Sequence, residues 1–531
     1  MSRCLHTNPD RIYDDMRSLR PDATLTLEGG RYATPLVLSS VSGSQQQPVV
    51  IHGNGAVIDG GGTYEDYRET ANRLSAVQEA NGRFPGIYYL ADNAALVLRN
   101  CQWIVIEDLN FEGCWPTAIY LDNCQHITLR RLHIRGSTIA IGAAGPYTRH
   151  LLIEACDWIQ DLQSHGEADL AAIRKTGAVN AGLDPGDCRL WREISWSQVH
   201  GNIEDTNSRV NVETDERGFD GDFFRAWTIA GYVVLRNNVI LDAFNGIHFF
   251  NDASDSTVED FCRNIVIENN WFVRIRDNAI EAEDYAWNWT VHGNKFINCY
   301  MPFSLEMHRS GYFYIYGNLG WNQHRPGPDG DDRNFGQLFK FPKQHEAVGP
   351  HYVFNNSWML RGPISKRNRI SQFHHLNNAI SYYGTAGCRR RRIPRLLVRV
   401  GRTCRSRARA KIHSKADISP SFGKNSTYAS MVILSITNIS PTCCVMRDIL
   451  SAWTQSRRGP FPFDRLRQAG RIEADRAGCG NAFPDAASRR TRTVSRRCGL
   501  YRRRLAGRTS LYDRKADVLR ILALSEALRK G

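Results

Sequence analysis

Along this chain, short runs alternate apolar and polar residues, and each run closes on a turn residue. CQWIVIEDLNF begins at Cys101, CQHITLRRLHI at Cys124 and RHLLIEACDW at Arg149, so the pattern returns after 23 residues and again after about 24. Later copies are YVVLRNN, NIVIENN, NWTVHGN, YFYIYGN, HYVFNN and FHHLNN. Their closing asparagines are Asn238, Asn270, Asn294, Asn318, Asn356 and Asn378, at spacings of 32, 24, 24, 38 and 22. The longer intervals hold polar stretches, NDASDSTVED and NQHRPGPDGDDRN, which read as loops. Alternation with period two is a strand signal. A repeat of about 23 residues built from strands this short leaves no room for two amphipathic helices per unit. It predicts one coil of a parallel β-helix, three short strands to the turn. An asparagine that returns at one place tolerates a left-handed bend, and its amide can also stack on the equivalent amide one coil away.

The opening stretch, PDATLTLEGGRYATPLVLSSVSGSQQQPVVIHGNGAVIDGGG, together with these rungs, resembles the right-handed parallel β-helix proteins of the pectate-lyase-like superfamily. Its first coils are similar to the chondroitinase B and alginate lyase type. The resemblance implies an all-β, right-handed parallel β-helix solenoid over residues 20–387. Residues 1–19 would form an N-terminal cap, with a short capping helix drawn from Asn8 to Leu19. The family is usually exported, which points to an extracellular or periplasmic protein. The N-terminus MSRCLHTNPDRIYDD nevertheless lacks the basic-then-apolar pattern of a secretory signal.

Composition changes this picture at one place. With 42% apolar and 23% charged residues the chain is globular, and no apolar run approaches a membrane span. The net charge of +14 is unevenly placed. Residues 388–531 hold 29 Arg and 5 Lys against 9 acids, a net of +25, which leaves −11 for the first 387 residues. An acidic front disfavours a nucleic-acid surface there, so phosphate contacts would be expected through the basic tail. The rungs stop at AISYYGTAGC, and RRRRIPRLLVRVGRTCRSRARAK follows without period two or period 23. Three readings stand for 388–531: a nucleic-acid-binding arm, a disordered solvated tail, or text read out of frame from GC-rich DNA. The cysteines form no zinc-finger spacing, and those before residue 388 read as small buried hydrophobes.

The chemistry sits where outward residues stack. Small-apolar dipeptides align four coils at Gly218-Phe219, Gly246-Ile247, Ala279-Ile280 and Pro302-Phe303. With the second residue of each pointing inward, one outward column reads Asp220, His248, Glu281, Ser304. A parallel column reads Asp222, Phe250, Glu283, Glu306. Coils lie about 4.8 Å apart, so these carboxylates must be paired, protonated or bridged by a cation. Oxygen-rich clusters suit Ca²⁺, here on Glu281, Glu283 and Glu306. The resemblance implies stacked acids for calcium beside a Lys and an Arg for β-elimination. Lys340 in GQLFKFPK and Arg309 in LEMHRSG are the candidates. His248, Glu281, Glu283, Glu306, Arg309 and Lys340 are therefore the expected catalytic set, with Asp220, Asp222 and His308 contacting substrate. Tyr285, Trp287, Trp289, Tyr312, Tyr314 and Trp321 are candidates for a sugar-binding floor. The expected task is lyase or epimerase chemistry on a uronate-containing, acidic polysaccharide. The alternatives are a glycoside hydrolase using Glu283 with Glu306, or Asp220 with Asp222, and a non-catalytic carbohydrate-binding β-helix. The GHG turn and RIK-type pair of the polygalacturonase-like family are absent.

Overall fold

The computed structural model of the chain describes residues 3–81, 87–177, 188–200, 210–254, 256–322, 324, 326–327, 336–342, 347–365 and 370–382. The tail at 388–531, with all three of its readings, lies outside them. No described helix is long and apolar enough to cross a membrane.

Each coil passes through three strands, as in Thr117–Asp122, Gln125–Arg130 and His133–Arg135. Each strand pairs in parallel with its equivalents one coil before and after, which builds three faces, here named C, A and B in that order. Parallel crossovers of this kind wind right-handed, and the chain is a right-handed parallel β-helix. The long strand Asn278–His292 serves the C face at its start and the A face at its end. Alternate residues point inward and stack as columns. Ile104, Ile127, Leu151, Val233, Ile265 and Trp289 form one of them, all essentially buried. Seven of the eight cysteines among the described residues are buried, and none of the eight is in a disulfide.

The N-terminal end differs from the expected cap. The helix Ile12–Arg17 does bury Ile12 and Met16 against the first coil. The strand Arg3–Thr7, however, already pairs with Ala23–Leu27, so the solenoid begins before the helix that covers it.

The closing asparagines form a continuous ladder. From Asn238 to Asn356, each backbone N–H and each Nδ2 donates to Oδ1 of the asparagine one coil on. Nδ2 also donates to a carbonyl of the preceding coil. One expectation is corrected. The left-handed backbone belongs to the residue before the ladder: Asn237, Asn269, Gly293, Gly317, Asn355 and Asn377. The bend and the buried amide are two jobs done by two neighbours.

Two insertions cover part of the solenoid: the helix Gly166–Thr176 packs on the B face, while the rest meet around Tyr64, Phe219 and His200 as a wall beside the C face. The first carries the helix Tyr64–Asn81. The second carries the helices Gly166–Thr176, Arg189–Arg192 and Trp196–His200 and the short turn Arg217–Phe219. Tyr64 stacks on Phe219 at 4.0 Å and its hydroxyl donates to Glu216 at 2.6 Å. The amide of Asn72 donates to the carbonyls of Val212 and Asp215 and accepts from the N–H of Arg217. Gly166–Thr176 is tied to the solenoid by the fully buried Arg274, which bonds Asp169 and Asp242.

Candidate functional site

On the C face, strands Asp222–Trp227, Asn245–Phe250, Asn278–His292, Met301–Ser310 and Phe339–Lys340 lie side by side. Their inward residues Phe224, Ile247, Ile280, Phe303 and Phe339 are core. The outward residue beside each gives the column Arg225, His248, Glu281, Ser304, Lys340. Two residues on, a second column reads Trp227, Phe250, Glu283, Glu306. His248 lies among three carboxylates: Nδ1 is 3.6 Å from Asp222, and Nε2 is 3.4 Å from Glu281 and 3.7 Å from Glu283. Lys340 Nζ is 2.5 Å from Glu306 Oε2 and 3.9 Å from Glu281 Oε1. Asn278 Nδ2 donates to Glu281 Oε2 at 3.0 Å. Beneath them Arg225 pairs with Asp222 and reaches Asp220 at 3.9 Å, and His200 from the wall lies 3.6 Å from Asp220. Side-chain exposure divides the acids: Glu281 is 4% exposed, whereas Glu283 is 33% and Glu306 23% exposed.

Charge sorts the groups further. Burial alone would lower the His248 imidazolium, but Glu281, Asp222 and Glu283 outweigh it and push it up to about 10. Burial opposes ionisation of Glu281, yet His248 and Lys340 together hold its carboxyl below the ordinary value. Glu306 moves the other way. Burial raises it, Glu281 and Glu283 add repulsion, and Lys340 only partly offsets them. Lys340 is raised, because Glu281, Glu306 and Asp277 outweigh its burial. Asp277, behind the columns, is raised chiefly by burial.

No family model matches the chain, and no curated protein matches it. Among solved structures the chain is similar to a family 28 exopolygalacturonase from Yersinia enterocolitica, at 9% identity over 72% of this chain and 78% of that one, TM-score 0.38. It is also similar to a GH136 lacto-N-biosidase from Eubacterium ramulus, at 12% identity over 71% and 68%, TM-score 0.36. A third is an alginate lyase from Paenibacillus sp. str. FPU-7, at 10% identity over 72% and 99%, TM-score 0.29.

The expected columns are in register across three coils and slip in the fourth. Gly218-Phe219 is not a strand opening; Phe219 lies in the wall against Tyr64. In that coil Phe224 is the partner of Ile247, and Arg225 and Trp227 stand where Asp220 and Asp222 were expected. The small-apolar cue fails there because Phe223, itself fully buried, occupies the place that Gly246 takes one coil on. Asp222 still reaches His248, from the strand's first residue, and Asp220 arrives from the wall. Arg309 does not stand beside Glu306. A shift in register after Asp284 places it opposite Tyr285, with its guanidinium over that ring at 5.6 Å. His308 lies at the rim, 3.5 Å from Asp284. The aromatic set disperses: Trp289 is core, Trp321 packs on the B face, Tyr314 is on the A face, and only Tyr285 lies beside the columns. Arg225, Trp227, His200 and Asp277 were missed. Aligning FFRAW with GIHFF would have found the first two; the wall contacts carry no signal at solenoid spacing.

Proposed function

We propose that the protein is a carbohydrate-active β-helix enzyme of the glycoside hydrolase class, with Glu306 as general acid and Glu283 as nucleophile. The supporting observation is that these two partly exposed carboxylates occupy one outward column on adjacent strands. Neighbouring strands lie about 4.8 Å apart, which suits the separation of about 5–5.5 Å used for retention better than the wider inverting gap. The raised Glu306 carboxyl is fitted to hold a proton.

In this mechanism the Glu306 proton passes to the glycosidic oxygen as the C1–O bond breaks, while a Glu283 oxygen bonds to C1. Glu306, now a carboxylate beside Lys340, takes a proton from water as that water attacks C1. The ester to Glu283 is released, and Glu306 is left protonated again. Lys340 stabilises the anionic phase, and His248 positions Glu281 and Glu283.

Lyase chemistry is less well served. His248, Glu281 and Glu283 lie close enough to share one metal ion. Lys340 Nζ, however, already neutralises Glu306 and approaches Glu281, and His248 Nε2 faces Glu281 and Glu283, an arrangement that disfavours calcium on the three glutamates together. The acidic neighbours push both cations up against their burial, which disfavours either of them as the base for a C5 proton. The test is turnover of aryl glycosides and neutral oligosaccharides, with the anomer of the first product followed by NMR. Retained configuration, abolished by Glu306→Gln and by Glu283→Gln in folded protein, is the expected result. An unsaturated uronate product from alginate or pectate would overturn the hydrolase reading.

A further inference from the structure

We infer that the glycan this site takes carries no uronate carboxylates and lies along the solenoid axis, its sugar rings stacked on Phe250 and Trp227. The inference rests on the hydrolase reading and deepens it. The column that ends in Glu283 and Glu306 begins with Trp227 and Phe250, each one coil from the next. The same column in earlier coils holds Arg99, Asp122 and Ala144, so among these coils aromatic rings enter it in the two that lead up to the carboxylate pair. Phe250 is not needed for the core, which is filled from the inward side by Ala226 and Phe249, whereas Trp227 also packs on an outer cluster of Ala91, Ala94, Val97, Tyr120 and Ala144. Both rings are partly exposed. Trp227 has room because Gly142 lies beneath it; a Cβ there would meet the indole at 3.5 Å and Tyr120 at 2.8 Å. Phe250 is held by the His248 ring at 3.9 Å. Flat, partly exposed rings in line with a catalytic point are what the apolar face of a pyranose stacks on.

Charge excludes the acidic alternative. Arg225 is engaged by Asp222 and Asp220, His248 by Asp222, Glu281 and Glu283, and Lys340 by Glu281 and Glu306. On the same side Asp284 is raised by burial and by repulsion from Glu283 and Asp252, with His308 opposing. A uronate laid over Phe250 would add like charge beside Glu283 and Asp284, with Arg309 drawn aside over Tyr285.

Glu306→Gln protein, which should bind without turnover, is titrated by calorimetry with gluco-, xylo- and galacto-hexaoses and with hexamers of galacturonate and mannuronate. A neutral hexaose is expected to bind, and the uronates are expected to bind more weakly or not at all. Adding Trp227→Ala or Phe250→Ala should weaken binding about tenfold or more, as loss of one stacked ring would. Trp227→Phe should keep most of it, and thermal unfolding should show each variant still cooperatively folded, with some loss of stability for Trp227→Ala where the ring packs on Tyr120 and Ala144. Preferred binding of uronates, no binding across the panel, or binding that survives both alanine variants would overturn the inference. Binding with these properties in a wild-type protein that hydrolyses nothing would reject the catalytic pair and leave the aromatic platform standing.

Discussion

Asn294 Oδ1 accepts two hydrogen bonds from Asn270, one from its backbone N–H at 2.9 Å and one from its Nδ2 at 3.0 Å. Asn294 in turn donates Nδ2 to the Ile267 carbonyl and to Asn318 Oδ1. All of these groups are buried, and the left-handed bend is made by Gly293. Asn294→Ala therefore strains nothing but strands a buried N–H and a buried carbonyl, at a cost of about 3 kcal/mol. Asn294→Asp should not rescue it, since a carboxylate accepts from Asn270 but donates nothing to Ile267. Urea unfolding midpoints check both variants; a loss of only a few tenths of a kcal/mol would remove the ladder from the account of stability.

The ladder was legible because its chemistry repeats at solenoid spacing, as were three coils of the outward columns. A period-two strand fixes which side chains share a face, so once Ile247, Ile280 and Phe303 are aligned, the places of His248, Glu281, Glu283 and Glu306 follow. What the sequence withheld is non-periodic. The wall is held by contacts such as Asn72 with Asp215, far apart in the chain, and no rung spacing announces them. The same holds for Arg309, which one irregularity in pairing turns away from Glu306.

Gly320 is a glycine because Trp358 crosses it one coil on. A Cβ at 320 would lie 2.0 Å from Trp358 Cε3. Gly320→Ala should cost about 1–3 kcal/mol through overpacking. Adding Trp358→Leu should recover part of that loss, which the unfolding midpoint of the double variant would show. An additive double variant would mean the two side chains do not compete for the same space.

The His248 imidazolium is raised from 6.5 to about 10. A group whose folded value lies above its unfolded value stabilises fully below the unfolded value. That contribution is lost as pH rises through the folded value. The stability gap between wild type and His248→Gln should be on the order of a few kcal/mol below pH ~6.5 and close by pH ~10. Thermal unfolding of the pair from pH 6 to 10 measures it. A gap that is constant across this range would mean that His248 acts by packing alone.

Lys340 and Glu306 give the sharpest test of the proposed roles, because a purely structural lysine and a charge-balancing one differ in how they change the pH profile. Lys340 favours the ionised form of Glu306, at 2.5 Å, against the raising effects of burial, Glu281 and Glu283. Lys340→Met removes that opposition, so the Glu306 carboxyl should rise further. If Glu306 is the general acid, activity falls on the alkaline side as it loses its proton. The alkaline limb of kcat/KM should therefore move up, by on the order of one pH unit for a cation this close. The maximal rate should fall at the same time, since the carboxylate formed after proton transfer loses its cation. Lys340→Arg should leave the limb near its wild-type position. A Lys340→Met enzyme whose activity drops by one factor at every pH would assign Lys340 to folding and take the proton-holding role away from Glu306.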